Sequence, residues 1–253
     1  MRLGLVTYNM AKDWDIPTII EKCTATGFEG VELRTTHGHG VELTLSVEER
    51  QRVKKQFEDS PIELVGLGST YEYHAIEPEV VRQNMEGTKA YAKLAHDVGA
   101  SGIKVRPNGH QEEAGIPREK TLEQIGLALR ECGEVAQEYN VEIRLEMHGG
   151  VAEAQNIRSI MEHADHDNVF VCWNSNMVDV KDGSVMHDFE LVKDRIRLVH
   201  NNDLYNEAYP FQEFFTLLKR INYQGFCCAE IPGSTDPERV MNYYRALFRA
   251  YTA

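Results

Sequence analysis

Short runs rich in β-branched and aromatic residues alternate with longer stretches of helical periodicity along the whole chain. The short runs predict eight strands, at residues 3–7, 30–34, 63–68, 102–106, 142–147, 169–173, 196–200 and 225–230. Between them the 3.6-residue period predicts helices at 16–26, 47–59, 80–98, 120–139, 156–164, 189–195, 209–220 and 237–251. Ser46 before Val47-Glu48-Glu49 and Asp236 before Pro237-Glu238 mark helix starts, because a cap oxygen accepts from orphan amides and acids suit the positive helix end. A spacing of roughly 32 residues accommodates one strand, one helix and two loops. Eight βα units without a linker predict an α/β fold, a (β/α)8 TIM barrel, as a single domain over residues 1–253. A doubly wound open sheet would carry a glycine-rich fingerprint after its first strand, and none follows Thr7.

Side chains alternate across a strand, so residues two apart share a face. In the fifth strand Ile143, Leu145 and Met147 form the apolar set that meets the helices, which turns Arg144, Glu146 and His148 into the barrel. The same rule sends Glu32 and Arg34 of the second strand inward, with Lys104 and Arg106 of the fourth. The interior is therefore expected to be charged. Unpaired charges are costly to bury, so a pairing such as Glu32 with Lys104 or Arg144 is expected in the lower barrel. Barrel active sites lie at the C-terminal strand ends. That position singles out Glu146, His148, Asn174, His200 and Glu230 and assigns Glu32 and Arg144 to the scaffold, while Trp173 points by alternation into the outer core.

Composition narrows the partners. The 253 residues hold 27 Lys plus Arg against 40 Asp plus Glu, a net charge of −13, and 42% hydrophobic residues, which suits a globular domain with a sizeable core and excludes a disordered chain. An acidic chain lacks the positive field that general nucleic-acid binding requires, so no nucleic-acid partner is expected. The apolar runs fall far short of the roughly 18 residues of a membrane span, and no export signal opens the chain, so no membrane partner is expected either. Cysteines at 23, 132, 172, 227 and 228 show no paired spacing, which fits a reduced, cytoplasmic setting.

The strand-end candidates define a chemistry. Two carboxylates, an imidazole and an amide from Glu146, Asn174, His200 and Glu230 can hold a hard or borderline divalent metal ion such as Mn²⁺, Mg²⁺ or Zn²⁺. Such an ion polarises a substrate carbonyl or hydroxyl while a carboxylate moves a proton. Around it, His37 and His39 after the second strand, Arg106 and Asn108 after the fourth, His148 after the fifth and Asn176 after the sixth are the expected substrate-binding residues. The 71–74 loop offers aromatic faces, and Lys104 is a remote candidate for a Schiff base, Glu32 being its simpler partner. The cysteines lack an activating neighbour and read as small hydrophobes.

The segments LGLVTYN, GFEGVELR, GIKVRPNG, VEIRLEMHG, VFVCWNSN, LVHNND and CCAEIPGS fall on the predicted strands. Over essentially the whole chain they resemble the xylose isomerase-like TIM-barrel superfamily, which includes sugar isomerases and epimerases, inosose dehydratase and endonuclease IV. The resemblance implies a metal held by a Glu, an Asp, a His and a second Glu from the last four strands. Glu146, His200 and Glu230 match that set. Asn174 stands at the Asp position and Met177 where a His follows three residues later, so the ligand set loses a negative charge. It further implies that Glu146 and Glu230 flank the substrate carbon as a catalytic acid–base pair and that Asp203 orients His200. The implied partner is a small-molecule sugar or keto-sugar, and a homo-oligomer is left open. The expected activity is a metal-dependent sugar isomerase or epimerase. The alternatives are a lyase or dehydratase acting by β-elimination and a non-catalytic sugar-binding barrel. An abasic-site nuclease ranks last, because it needs more His and Asp ligands than these strand ends supply.

Overall fold

In the computed structural model, which describes residues 1–253, the predicted alternation closes on itself. Strands β1 (Arg2–Val6), β2 (Gly30–Arg34), β3 (Glu63–Gly68), β4 (Gly102–Val105), β5 (Glu142–Glu146), β6 (Val169–Asn174), β7 (Ile196–Asn201) and β8 (Phe226–Ala229) pair in parallel in sequence order. The ring closes through β8 on β1, with Leu3 opposite Cys227. Helices α1 (Ile16–Thr26), α2 (Val47–Glu58), α3 (Pro78–Val98), α4 (Arg118–Glu138), α5 (Ala154–Ala164), α6 (Met186–Val192), α7 (Phe211–Arg220) and α8 (Pro237–Thr252) form the outer layer. This is the predicted (β/α)8 barrel, with strand ends moved by no more than one residue. No helix is long and apolar enough to cross a membrane.

Local chemistry explains most boundaries. Ser46 and Glu49 form a reciprocal capping box at the start of α2, and Asp15 and Asp236 accept from the first-turn amides of α1 and α8. Gly27 and Gly99 end α1 and α3 at φ 71° and 85°, the left-handed region where a side chain is strained. Helix α3 starts two residues before its predicted position because Pro78 sits in the first turn, where a missing N–H costs nothing. Helix α6 also starts earlier and gives way to a 3-10 turn at Lys193–Arg195.

Two apolar layers flank the sheet. The outer one joins the helices to the outward strand residues, with Trp173 packed against Phe189 and Phe214 and its indole N–H donating to the Tyr209 hydroxyl at 2.9 Å. The inner one, formed by Val6, Val65, Cys172, Leu198, Phe226 and Cys228, fills the barrel below its mouth. The expectation of a charged interior thus holds for one layer only. Arg144 also differs from expectation: it pairs with Glu142 of its own strand at 2.8 Å and donates to the Val65 carbonyl and the Ser101 hydroxyl, so Glu32 is not its partner. All five cysteines are buried and free.

Candidate functional site

Above the inner apolar layer, alternation brings polar residues from most of the strands to the barrel mouth: Glu32 on β2, Lys104 on β4, Glu146 on β5, Asn174 on β6 and His200 on β7, with Glu230 directly after β8. Single-atom donors from Glu146, His200 and Glu230 lie within 4.8 Å of one another. His200 is fully buried, with Nδ1 3.3 Å from Glu146 and 3.9 Å from Glu230, while Nε2 is 3.3 Å from Glu32. Lys104 Nζ pairs with Glu146 Oε2 at 2.8 Å, and Asn174 Nδ2 donates to Glu146 at 3.0 Å and towards Glu230 at 3.5 Å. Asn174 Oδ1 is buried without a hydrogen-bond partner.

The charges are set by these neighbours. Burial favours a neutral Glu146 carboxyl, but Lys104 and His200 outweigh it and hold the group well below the usual carboxylate range. Burial also works against the Glu32 anion, and His200 and Lys104 again win. For His200, burial opposes the charged form while Cys172, Glu32 and Glu146 raise it well above its ordinary value. Lys104 stays cationic, since Glu146 and Glu32 overcome its desolvation. Glu32 and Glu146 are thus held as carboxylates by the two cations, Lys104 and His200, that lie between them.

These residues fit a divalent ion. Two carboxylates and one imidazole nitrogen are the donor set such an ion takes. Asn174 turns its amide nitrogen, not its oxygen, to Glu146 and Glu230, so its orphaned Oδ1 would join that set only with the amide reversed. Glu32 faces the other ring nitrogen, the arrangement that fixes the tautomer of a ligating histidine. The residue that orients His200 is therefore Glu32, which the strand-depth argument had placed in the scaffold. Asp203 makes no hydrogen bond to His200, so it does not take the orienting role that the resemblance implied.

The cluster floors a cleft of about 210 Å³ lined by Tyr8, Arg34, Lys104, Arg106, Glu146, His148, Asn174, Asn176, Asn202 and Glu230. Of the predicted substrate-binding residues, Arg106, His148 and Asn176 line it. Asn108 stands behind His148, accepting at 2.6 Å from the His148 ring and contacting Glu72 through its own amide nitrogen. Arg106 pairs with the same Glu72 at 2.5 Å. Burial pushes the His148 imidazole below its ordinary value, which keeps it neutral near pH 7. His37 and His39 lie outside the cleft lining. Both ring nitrogens of His39 are committed to backbone, at 2.7 Å to the Arg34 carbonyl and 3.0 Å to the Val41 amide, and His37 faces the Thr7 hydroxyl at 3.4 Å. Their loop is a brace for β2. Sequence reasoning missed Tyr8, Arg34 and Asn202, although alternation had turned Arg34 inward and a ring-bearing residue just past β1 was a usable signal.

With this geometry in view, a family model described as "Xylose isomerase-like TIM barrel" matches residues 20–251. Among solved structures, D-psicose 3-epimerase from Clostridium cellulolyticum H10, determined with D-tagatose, superposes with a TM-score of 0.85 at 15% identity, covering 100% of this chain and 99% of that one. The IolI protein with a bound zinc atom gives 0.82 at 15% identity, covering 100% and 98%. The probable 3-DHS dehydratase AsbF from Bacillus anthracis gives 0.73 at 14% identity, covering 98% and 99%. At such identities the likeness establishes the fold. No curated protein sequence matches the chain.

Proposed function

The chain belongs to the xylose isomerase-like TIM barrel family, and from that premise we propose that it is a metal-dependent sugar isomerase or epimerase. The observation that carries this reading is the convergence of Glu146, His200 and Glu230 within 4.8 Å on the floor of a polar cleft. A divalent ion held by these three residues would stabilise the oxyanion that develops when a proton leaves the carbon next to a sugar carbonyl. The two glutamates divide the proton work unequally. Glu230 is 15% exposed, with only Asn174 at 3.5 Å and His200 at 3.9 Å beside its carboxylate, which leaves it the freer base. Glu146 is held anionic by Lys104, His200 and Asn174 and faces the substrate from β5. A proton taken by Glu230 on one face, with one delivered to the other face from the Lys104 ammonium through its contact with Glu146, gives inversion at carbon, whereas return of the proton by Glu230 to the neighbouring carbon gives a shifted carbonyl. Asn176 and Asn202 anchor their amide nitrogens on the carbonyls of Met147 and Ser175, which leaves their Oδ1 atoms as acceptors for sugar hydroxyls.

A lyase reading is favoured by one feature, the buried Lys104 ammonium lining the cleft beside Glu146, because a departing hydroxyl needs a proton donor. One experiment separates the two. Ketoses and keto-sugars are incubated with the Mn²⁺-supplemented protein in D₂O and followed by proton NMR and ultraviolet absorption. Isomerase or epimerase action places deuterium on the carbon beside the carbonyl and falls by at least about 100-fold in Glu230→Gln. A new conjugated enone instead identifies elimination. Absence of both across the panel contradicts the enzymatic reading.

A further inference from the structure

The cations of the cleft are not equally occupied. Lys104 is paired with Glu146 at 2.8 Å and Arg106 with Glu72 at 2.5 Å. Arg34, at the end of β2, has no carboxylate within pairing distance, in a chain that carries 40 acidic residues against 27 basic ones. Its position is nevertheless fixed from three sides. The Arg34 amide donates to the Thr7 hydroxyl at 2.9 Å, its carbonyl accepts from His39 at 2.7 Å, and its guanidinium lies 4.9 Å over the Tyr8 ring. An aromatic face braces the plane of a guanidinium and leaves its edge N–H donors unspent. A half-buried, preorganised cation with free donors at the wall of a polar cleft is a binding element for an anion.

The rest of the cleft dictates where that anion lies. Glu146 and Glu230 repel negative charge from the β5 and β8 side, whereas a carbonyl and its neighbouring hydroxyls suit that side. Resting on the isomerase or epimerase reading above, we propose that the substrate is an acidic sugar whose carboxylate or phosphate is held by Arg34, with its carbonyl end over Glu146 and Glu230. Arg34 then sets the direction in which the sugar enters, and a neutral sugar, lacking the anchor, binds in no single register.

The test uses the full chain with Mn²⁺ and three probes: D-fructuronate for a carboxylate, D-fructose 6-phosphate for a phosphate, and neutral D-fructose. Affinities are measured by calorimetry and proton exchange in D₂O by NMR. One charged probe should bind about 10- to 100-fold more tightly than D-fructose, the range expected when a hydrogen bond to a charged group is gained. That preference should collapse towards unity in Arg34→Gln and return in part in Arg34→Lys, which also shows that the barrel tolerates substitution there. Whichever charged probe wins identifies the headgroup. Equal affinity for all three probes, or a preference that survives Arg34→Gln, overturns the proposal. The two readings fail separately. An Arg34-dependent preference without exchange on any probe contradicts the isomerase or epimerase reading alone, and exchange on D-fructose without any preference contradicts the anion site alone.

Discussion

At the scale of the residue, Glu32 and Asp179 show how a buried carboxyl is decided by its neighbours. Glu32 faces His200 Nε2 at 3.3 Å, so its loss frees the imidazole to turn. Glu32→Gln should weaken Mn²⁺ binding by about 10- to 100-fold while leaving the ligand set intact, as read by metal titration. Asp179 is buried with neither oxygen hydrogen-bonded, and burial followed by the neighbouring Asp188 raises it from 3.8 to about 8. Because the folded value lies above the unfolded one, the unfolded chain releases this proton first, and stability falls as pH rises from about 4 to about 8. Asp179→Asn should therefore gain on wild type by up to about 1.4 kcal/mol per pH unit across that window and then level off, as measured by denaturant unfolding at a series of pH values. A difference that is flat with pH would show Asp179 to be ionised throughout. The strand-end position of Glu146, Asn174, His200 and Glu230 was legible in the sequence, because alternation and the barrel rule together fix face and height. Which carboxylate reaches His200 was not, since alternation says that Glu32 points inward but not how far across the ring.

At the scale of the element, β3 and β4 make room for their neighbours. A Cβ on Gly102 would stand 2.4 Å from the Arg144 guanidinium carbon, and one on Gly68 would stand 2.8 Å from Glu32 Oε1. Gly102→Ala should thus destabilise the fold by about 1–3 kcal/mol, seen as a lower denaturation midpoint, because Arg144 must abandon Glu142 and the Val65 carbonyl. An unchanged midpoint would mean that the arginine is not held there. The eight strands were readable because each outward face is apolar. The partner of Arg144 was not, because alternation puts Glu142 and Arg144 on one face of β5 without telling whether the guanidinium bends back along its own strand or reaches across the ring. His39 was misjudged for a related reason: its place in a glycine-permissive loop at the correct barrel end gave no sign that the backbone of Arg34 and Val41 would claim both ring nitrogens.

At the scale of the molecule, the barrel closes a ring of strands over an apolar plug and leaves one polar cleft at its mouth. The plug excludes water from below, which strengthens each charge contact in the layer above it. Acids from β5 and from the end of β8 face a cation at the end of β2, so the cleft is electrically asymmetric although the chain as a whole is acidic. Net charge could not reveal an unpaired arginine inside an acidic protein. The central claim is that Glu146, His200 and Glu230 act as one metal-holding centre. Its most direct test is titration of chelator-stripped protein with Mn²⁺, read as free and bound ion by electron paramagnetic resonance. The account predicts one bound ion per chain, lost in Glu146→Gln and in Glu230→Gln with the fold intact; an absence of stoichiometric binding, or binding that both variants retain, would contradict it.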